Sequence, residues 1–324
     1  MEFDIPTWIK VGAYAGSGLA IGLGAIGAAI GEGYTAAQAT AAISRNPARS
    51  GEIFKSMLVG QAIAESASIF ALVVAMVLLF TTFQSDSFIM VWAVLASGLC
   101  MGLGAIGAGI GAGFPAAAAC EGIGRQPGIS GRLTTNMLIG SAVCQTPSIF
   151  ALVIAFILLF TGLDNNPLSP TWAAVLGAGL ATGLSAIGAG LGSGLVAASS
   201  CEGISRQPTS ATVMTNSMLL GQAITQTTAI YGLLISFILL FKAHPATESL
   251  APAMALLGSG LCMGIGGIGP GIGEGFTAQA AVRWMAREKD SIGDLTRTML
   301  IGMAVAESTG IYAMVISLIL IFVI

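Results

Sequence analysis

Polar positions are rare along this chain and fall at regular intervals. Between them run long charge-poor stretches, among them those containing Ile69–Phe80, Ile149–Phe160, Ile230–Phe241 and Ile311–Ile324. Each is long enough to cross about 30 Å of hydrocarbon as a helix. None shows the two-residue alternation of a barrel strand, and only helices or closed barrels satisfy their own backbone in lipid, so the pattern predicts transmembrane helices.

The pattern repeats. Arg45-Asn46-Pro47 returns as Arg125-Gln126-Pro127 and Arg206-Gln207-Pro208, and in altered form as Arg287-Glu288-Lys289, at offsets of 80, 81 and 81. The same offsets link Gly-rich runs beginning near Gly22, Gly102, Gly183 and Gly264, and link Glu65, Gln145, Gln226 and Glu307. Every unit has a Gly-rich apolar segment, a short polar loop with the arginine, and a segment rich in Leu, Ile, Val and Phe. That order predicts an all-α membrane protein of eight transmembrane helices in four tandem hairpins: 1–83, 84–163, 164–244 and 245–324. The links between units, Thr81–Ser87, Thr161–Pro170 and Lys242–Ala251, carry turn residues with Asp86, Asp164 and Glu248.

Glycines alternate along the first helix of each unit, as in Gly107, Gly109, Gly111 and Gly113 or Gly269, Gly271, Gly273 and Gly275. Two residues turn a helix by about 200°, so such a run places glycine on two opposite flanks. A helix of this kind can be approached closely from both sides, which suits identical helices packed shoulder to shoulder in a closed ring.

Composition agrees: 55% of the 324 residues are apolar and 8% charged, outside the range of a soluble domain. The net charge of −3 decides little, but its distribution does. Ten of the twelve Lys and Arg residues lie in or beside the loops inside the hairpins, leaving Lys10 and Lys242 elsewhere. By the positive-inside rule those loops are cytoplasmic and both termini lie outside. Met1–Lys10 lacks a basic n-region and cleavage site, so no processing is expected. Trp8, Trp92 and Trp172 open first helices and read as interface anchors. The five cysteines, Cys100, Cys120, Cys144, Cys201 and Cys262, have neither metal-site spacing nor an even count and read as packing residues. There is no GxxxxGK[ST] pattern, and the single histidine, His244, sits in a link where it is expected to be solvated, so the chain alone does no covalent chemistry.

Four acidic residues lie deep within the spans: Glu32, Glu65, Glu274 and Glu307. An ionisable group there costs about 2.5–3.5 kcal/mol on insertion scales, which marks it as functional. Glu32 and Glu65 are equidistant from the loop near position 48, as are Glu274 and Glu307 from that near 290, so each pair shares one depth, roughly 25 Å from its loop. Two carboxylates close together in low dielectric cannot both stay ionised, and the pair becomes a monoanionic, oxygen-rich site. Ser308, Thr309 and Tyr312 surround Glu307; Ser66 and Ser68 surround Glu65, with Phe70 at the tyrosine position. These hydroxyls, with a carbonyl such as that of Val305 or Ile63, offer the oxygen shell of a hard cation, and favour sodium over protons as the carried ion. In the middle units the matching residues are Ala112 with Gln145 and Ser193 with Gln226, where glutamine keeps the shape and removes the charge. Those units are expected to be ion-free.

The Gly-rich first helix, the loops Arg45-Asn46-Pro47 and Arg125-Gln126-Pro127, and Gly60-Gln61-Ala62-Ile63-Ala64-Glu65-Ser66 resemble the c subunit of F-type ATP synthases, and Ala304-Val305-Ala306-Glu307-Ser308-Thr309-Gly310-Ile311-Tyr312 resembles its sodium-binding signature. The resemblance covers all four units. It implies a homo-oligomeric rotor ring in a prokaryotic cell membrane, with Gly-rich helices inside and membrane lipids around it. Its further implied partners are a stator a subunit with an essential arginine and central-stalk subunits of gamma and epsilon type, the latter reached by loops carrying Arg45, Asn46, Pro47, Arg125, Gln126, Pro127, Arg206, Gln207 and Pro208; nucleic acid has no part. It implies that Glu65 and Glu307 carry the ion, Na+ or alternatively H+. Glu32 and Glu274 then match the first-helix partner, Ser66 and Ser308 hydroxyl ligands, Ile63 and Val305 carbonyl ligands, and Tyr312 the residue that steadies the glutamate. In this family a site is completed across neighbouring hairpins, which brings Thr146 and Thr227 in as further candidates; Phe70 sets the two sites apart. Fusion of hairpins with loss of carboxylates is more typical of V-type proteolipids, and the fourth loop, Arg283–Asp290, lacks the proline. A secondary transporter and a self-contained channel fit less well, since near-identical parallel hairpins show neither broken-helix halves nor a filter.

Overall fold

The computed structural model describes residues 4–163 and 166–323, which leaves Asp164 outside the described residues. Among the described residues, eight helices are long and apolar enough to cross a membrane. Their segments are α1 (Ile5–Arg45), α2 (Ser50–Phe80), α3 (Ile89–Arg125), α4 (Ser130–Cys144) with α5 (Thr146–Phe160), α6 (Leu168–Arg206), α7 (Ala211–Thr225) with α8 (Thr227–Phe241), α9 (Leu250–Gly266) with α10 (Ile268–Met285), and α11 (Ile292–Phe322). No strand occurs among the described residues.

The helices stand in two rows. The Gly-rich helices form one: α1 packs on α3, α3 on α6, and α6 on α9 and α10. The other row, α2, α4–α5, α7–α8 and α11, leans on the first. Glycine makes the first row possible. In α3 a Cβ on Gly107 or Gly111 would lie 2.4 or 2.1 Å from a carbonyl oxygen of α6, while one on Gly109 or Gly113 would lie 2.6 or 2.5 Å from the backbone of α1. Alternate glycines thus serve opposite neighbours, and the backbones approach more closely than any side chain allows. The second row turns Ile69, Leu72, Val73, Met76, Ile316 and Ile319 outwards, an apolar surface suited to lipid chains.

At the loop end, a proline opens a short 3-10 turn in three hairpins, Pro47–Arg49, Pro127–Ile129 and Pro208–Ser210, where its missing N–H and fixed φ fit the first position. The fourth turn, Lys289–Ser291, forms without one. Neighbouring hairpins are tied there by Asn46 Nδ2 donating to the Gly124 carbonyl at 3.1 Å. Glu121 pairs with Arg45 at 3.2 Å and Arg125 at 3.0 Å, and Glu202 with Arg283 at 3.3 Å and with Arg206. Such part-exposed pairs are worth at most about 1 kcal/mol each, so they align the loops while the glycine contacts hold the row. At the opposite end Trp8 meets Phe88 and Trp92 meets Trp172, with ring centres 6.3 and 5.3 Å apart.

One expectation fails here. His244 is half-buried rather than solvated, and its Nε2 lies 3.0 Å from the Leu239 carbonyl as the chain turns back beneath α8. Burial pushes its imidazole pKa below the ordinary value.

Among the described residues three of these helices break, and two of the breaks have a covalent cause. Pro147 and Pro270 have no N–H, so the ladder lapses at Gln145 and Gly267. The break at Gln226 lies at the matching place without a proline, and we have no physical account of it.

Candidate functional site

The breaks at Gln145 and Gln226 fall at the depth of the buried carboxylates, where each hairpin meets the one before it. Gln145 Nε2, from the second hairpin, donates to the Ile63 carbonyl of the first at 3.0 Å. Gln226 Nε2, from the third, donates to the Val143 carbonyl of the second at 3.3 Å and to Ser193 Oγ at 2.7 Å. Val143 is the carbonyl that residue 147 would bond in a regular helix, and Pro147 leaves it free for the glutamine. Ala112, fully buried, fills the place beside Gln145 that Ser193 occupies beside Gln226.

Where the third hairpin meets the fourth, glutamate stands in place of glutamine. Tyr231 of the third hairpin donates its hydroxyl to Glu307 Oε1 at 2.6 Å. Beside it is Glu274, fully buried, with neither carboxylate oxygen hydrogen-bonded. Glu274 and Glu307 repel one another electrostatically, as do Glu32 and Glu65. A carboxylate pair with one member fully buried, the other half-buried, and a single phenol donor is short of positive charge, a deficit that a proton or a bound cation would meet. The local hydroxyls are already satisfied along their own helices: Ser66 Oγ donates to the Ile63 carbonyl and Ser308 Oγ to that of Val305, both at 2.7 Å, Thr227 Oγ1 to that of Ile224 at 2.8 Å, and Thr309 Oγ1 to that of Ala306 at 3.1 Å. Each keeps lone pairs able to turn towards a cation.

This geometry corrects the grouping of residues by hairpin. Ser66 and the Ile63 carbonyl lie on the joint with Gln145, not with a carboxylate from their own hairpin. Tyr312 does not steady Glu307: Tyr231 does, while Tyr312 and Val305 are 66% and 67% exposed. Glu65 is exposed and Glu32 half-buried, at the free edge of the first hairpin. The residue missed by sequence reasoning, Tyr231, sits 81 positions before Tyr312. The repeat therefore held its signal; what it lacked was which hairpin serves which.

Comparison with known proteins supplies the context. The family pattern of the ATP synthase c subunit matches four times, over residues 15–78, 95–158, 176–239 and 257–320. The ATP synthase c subunit of Natranaerobius thermophilus is 53% identical over 75 residues, 23% of this chain and 86% of that one. That of Petrotoga mobilis is 56% identical over 68 residues, 21% of this chain and 71% of the other. The K subunit of the A-type ATP synthase of Methanocaldococcus jannaschii is 32% identical over 207 residues, 61% of this chain and 83% of its own.

Proposed function

The chain belongs to the ATP synthase c-subunit family through all four of its hairpins, and we propose that it carries Na+ through the rotor of a rotary ATP synthase or ATPase on Glu65 and Glu307. It is a multi-pass membrane protein and a rotor-ring proteolipid of an ion-translocating ATPase. The observation that carries the sodium reading is the joint of Glu307, Glu274 and Tyr231, in which a fully buried and a half-buried carboxyl share one protein donor. A cation seated there would take oxygens from Glu307 and Glu274, and the repeat sets the Ile224 carbonyl and Thr227 hydroxyl at the place that the Ile63 carbonyl and Ser66 hold opposite Gln145. Hard oxygen ligands without nitrogen or sulfur suit an alkali cation.

In this reading the chain does three things. It holds the ion at mid-depth, neutralised by the carboxylate pair, while the site faces lipid. It gives up the ion when the site reaches the stator a subunit, whose arginine displaces it. It passes the resulting rotation to the central stalk through the loops at Arg45–Pro47, Arg125–Pro127 and Arg206–Pro208. Gln145 and Gln226 turn with the ring and carry nothing, because an amide N–H already fills the space a cation would use. With half its hairpins silent, the ring moves fewer ions per turn. Each ion is worth about 2.3 kcal/mol per 100 mV, so fewer ions per ATP favours pumping against a steep gradient. The orientation that suits this has the hairpin loops in the cytoplasm of a prokaryotic cell.

The test is carbodiimide labelling of the intact complex near neutral pH, with the labelled peptides mapped. Sodium is expected to protect both Glu65 and Glu307. Labelling indifferent to sodium would assign the ring to protons, and labelling of neither glutamate would remove them from ion transport.

A further inference from the structure

We propose that the groove between the second and third hairpins, at their loop end, holds the phosphate headgroup of an anionic phospholipid, with Arg132 as its cation and the acyl chains running down the outer row of helices. The inference stands apart from the choice of transported ion, since it concerns the lipid-facing rim of the chain and none of the membrane-buried carboxylates.

The groove lies between the first turns of α4 and α7 and measures about 570 Å³, within the range of sites that hold small ligands. Arg132, Thr135 and Ile139 line it from α4, and Thr212, Thr215 and Asn216 from α7. Its floor is Asn136, 3% exposed, whose Oδ1 accepts from Thr215 Oγ1 at 2.7 Å and whose Nδ2 donates to Ser200 Oγ at 3.1 Å. The second and third hairpins are thus tied beneath the groove, which holds its two walls at a fixed spacing.

Depth identifies the occupant. The large apolar side chains exposed on the outer row begin at Leu138 and Ile139 on α4, and at Leu219 and Leu220 on α7. Arg132 is six residues nearer the loop than Leu138, about 9 Å along the helix, and Thr135 is three residues nearer, about 4.5 Å. The headgroup layer on each face of a bilayer is about 5–7 Å deep, so Thr135 lies within it and Arg132 at its outer margin. A phosphate seated between them sets its ester-linked chains over Ile139 and the apolar surface below. A molecule that fills this groove must be anionic above and apolar beneath, and a phospholipid meets both requirements.

Charge favours the anion. No residue lining the groove is acidic, and among the described residues Arg132 makes no ion pair; its Nη1 donates to the Pro208 carbonyl at 3.5 Å, the outer limit of a hydrogen bond. Glu121 and Glu202, the acids of the inner helices at this end, are each engaged by two arginines. A guanidinium at the membrane rim with no acid beside it is suited to paired N–H···O bonds with a phosphodiester. The repeat makes this particular to one joint. Arg132 corresponds to Glu52, Val213 and Asp294 in the other hairpins, and Asn136 to Ser56, Ser217 and Thr298. Where the acid stands at Glu52, it pairs with Arg49 of its own hairpin at 2.9 Å. Each chain therefore offers one such site, not one per hairpin.

The experiment extracts the assembled ring with mild detergent from vesicles of about four parts phosphatidylcholine to one part phosphatidylglycerol, and counts the phosphatidylglycerol retained per chain by native mass spectrometry. About one per chain is expected. Arg132→Gln should lower the retention about fivefold, the worth of one cation near an anionic membrane surface, and Thr212→Val, which leaves the charge in place, at least about twofold. The control is Arg297→Gln, which removes an exposed cation of α11 that the repeat sets three residues nearer the bilayer centre than Arg132. General attraction to anionic lipid would make its loss at least as costly; the proposal expects a change below about twofold. Retention unchanged by Arg132→Gln overturns the proposal, and so do equal losses for the two arginines, which mean surface charge alone. Retention of one lipid per hairpin would mean a repeated seam, and displacement of the lipid by inorganic phosphate a site for a soluble anion. Retention in the isolated ring that vanishes in the intact complex would give the groove to a protein subunit, and each of these three results also rejects the phospholipid as its occupant.

Discussion

Replacing Gly111 by alanine tests the close approach of helices on which both rows depend. The added Cβ would lie 2.1 Å from the Gly190 carbonyl oxygen, where ordinary contact begins at 3.4 Å, so α6 must withdraw by about 1.3 Å, the difference between the two. Gly194 closes on the Gly111 carbonyl from the other side, so the withdrawal cannot be confined to one turn. A gap of 0.5–1 Å already forfeits about a quarter to a half of a dispersion contact, and overpacking of this kind costs about 1–3 kcal/mol. Alanine's better helix propensity returns up to about 1 kcal/mol. The control is Gly51→Ala, whose Cβ meets nothing within 4 Å and receives only the propensity gain. The two variants should therefore differ by about 1–3 kcal/mol, roughly 5- to 150-fold in the unfolding equilibrium, with Gly111→Ala the less stable. Detergent-titrated unfolding of the reconstituted chain, followed by helical circular dichroism, reads this difference. Midpoints that shift together, in the same direction and by the same amount, would show that α3 and α6 are not in glycine contact.

Three further outcomes are expected. Gly22→Ala should behave like the Gly51 control in the solubilised single chain but lower the yield of the assembled ring, as judged by detergent-resistant oligomer on gels; equal yield would deny a contact at that flank. Gln226→Glu combined with Phe150→Tyr should raise the carboxylate-bearing joints of each chain from two to three and lift the sodium moved per ATP in proteoliposomes by about half; an unchanged ratio would show that glutamine is not what silences the joint. Because burial lowers the His244 pKa, the unfolded chain binds the proton more readily, so its contribution is intact above about pH 6.5 and is lost as pH falls from there through the folded value. Thermal stability measured at pH 7.5 and 5.0 should show this loss, and His244→Asn should reduce the difference; an undiminished difference would place the titrating group elsewhere.

The chain's own pattern reached far in this protein because lipid leaves so few options. Long apolar runs must be helices, an 81-residue period must be a repeated unit, and four glutamates at matched distances from their loops must share a depth. The double-flank glycines could be read too, since 200° per two residues is a property of any helix, and Gly107 with Gly111 do face one neighbour while Gly109 with Gly113 face the other.

What could not be read was which hairpin a side chain serves. Sequence adjacency groups Glu307 with Tyr312 and Glu65 with Ser66, whereas residues five apart on a helix point different ways, and packing brings Tyr231 to Glu307 across a joint from 76 residues away. The same limit hid the role of Pro147. Only when the second and third hairpins stand side by side does the carbonyl it frees at Val143 meet the amide of Gln226. Composition and period fixed the helices and their depth, because each is set by one segment and its solvent. The joints were decided by tertiary packing, because a polar group in a dry interior bonds to whatever the neighbouring backbone brings within 3 Å.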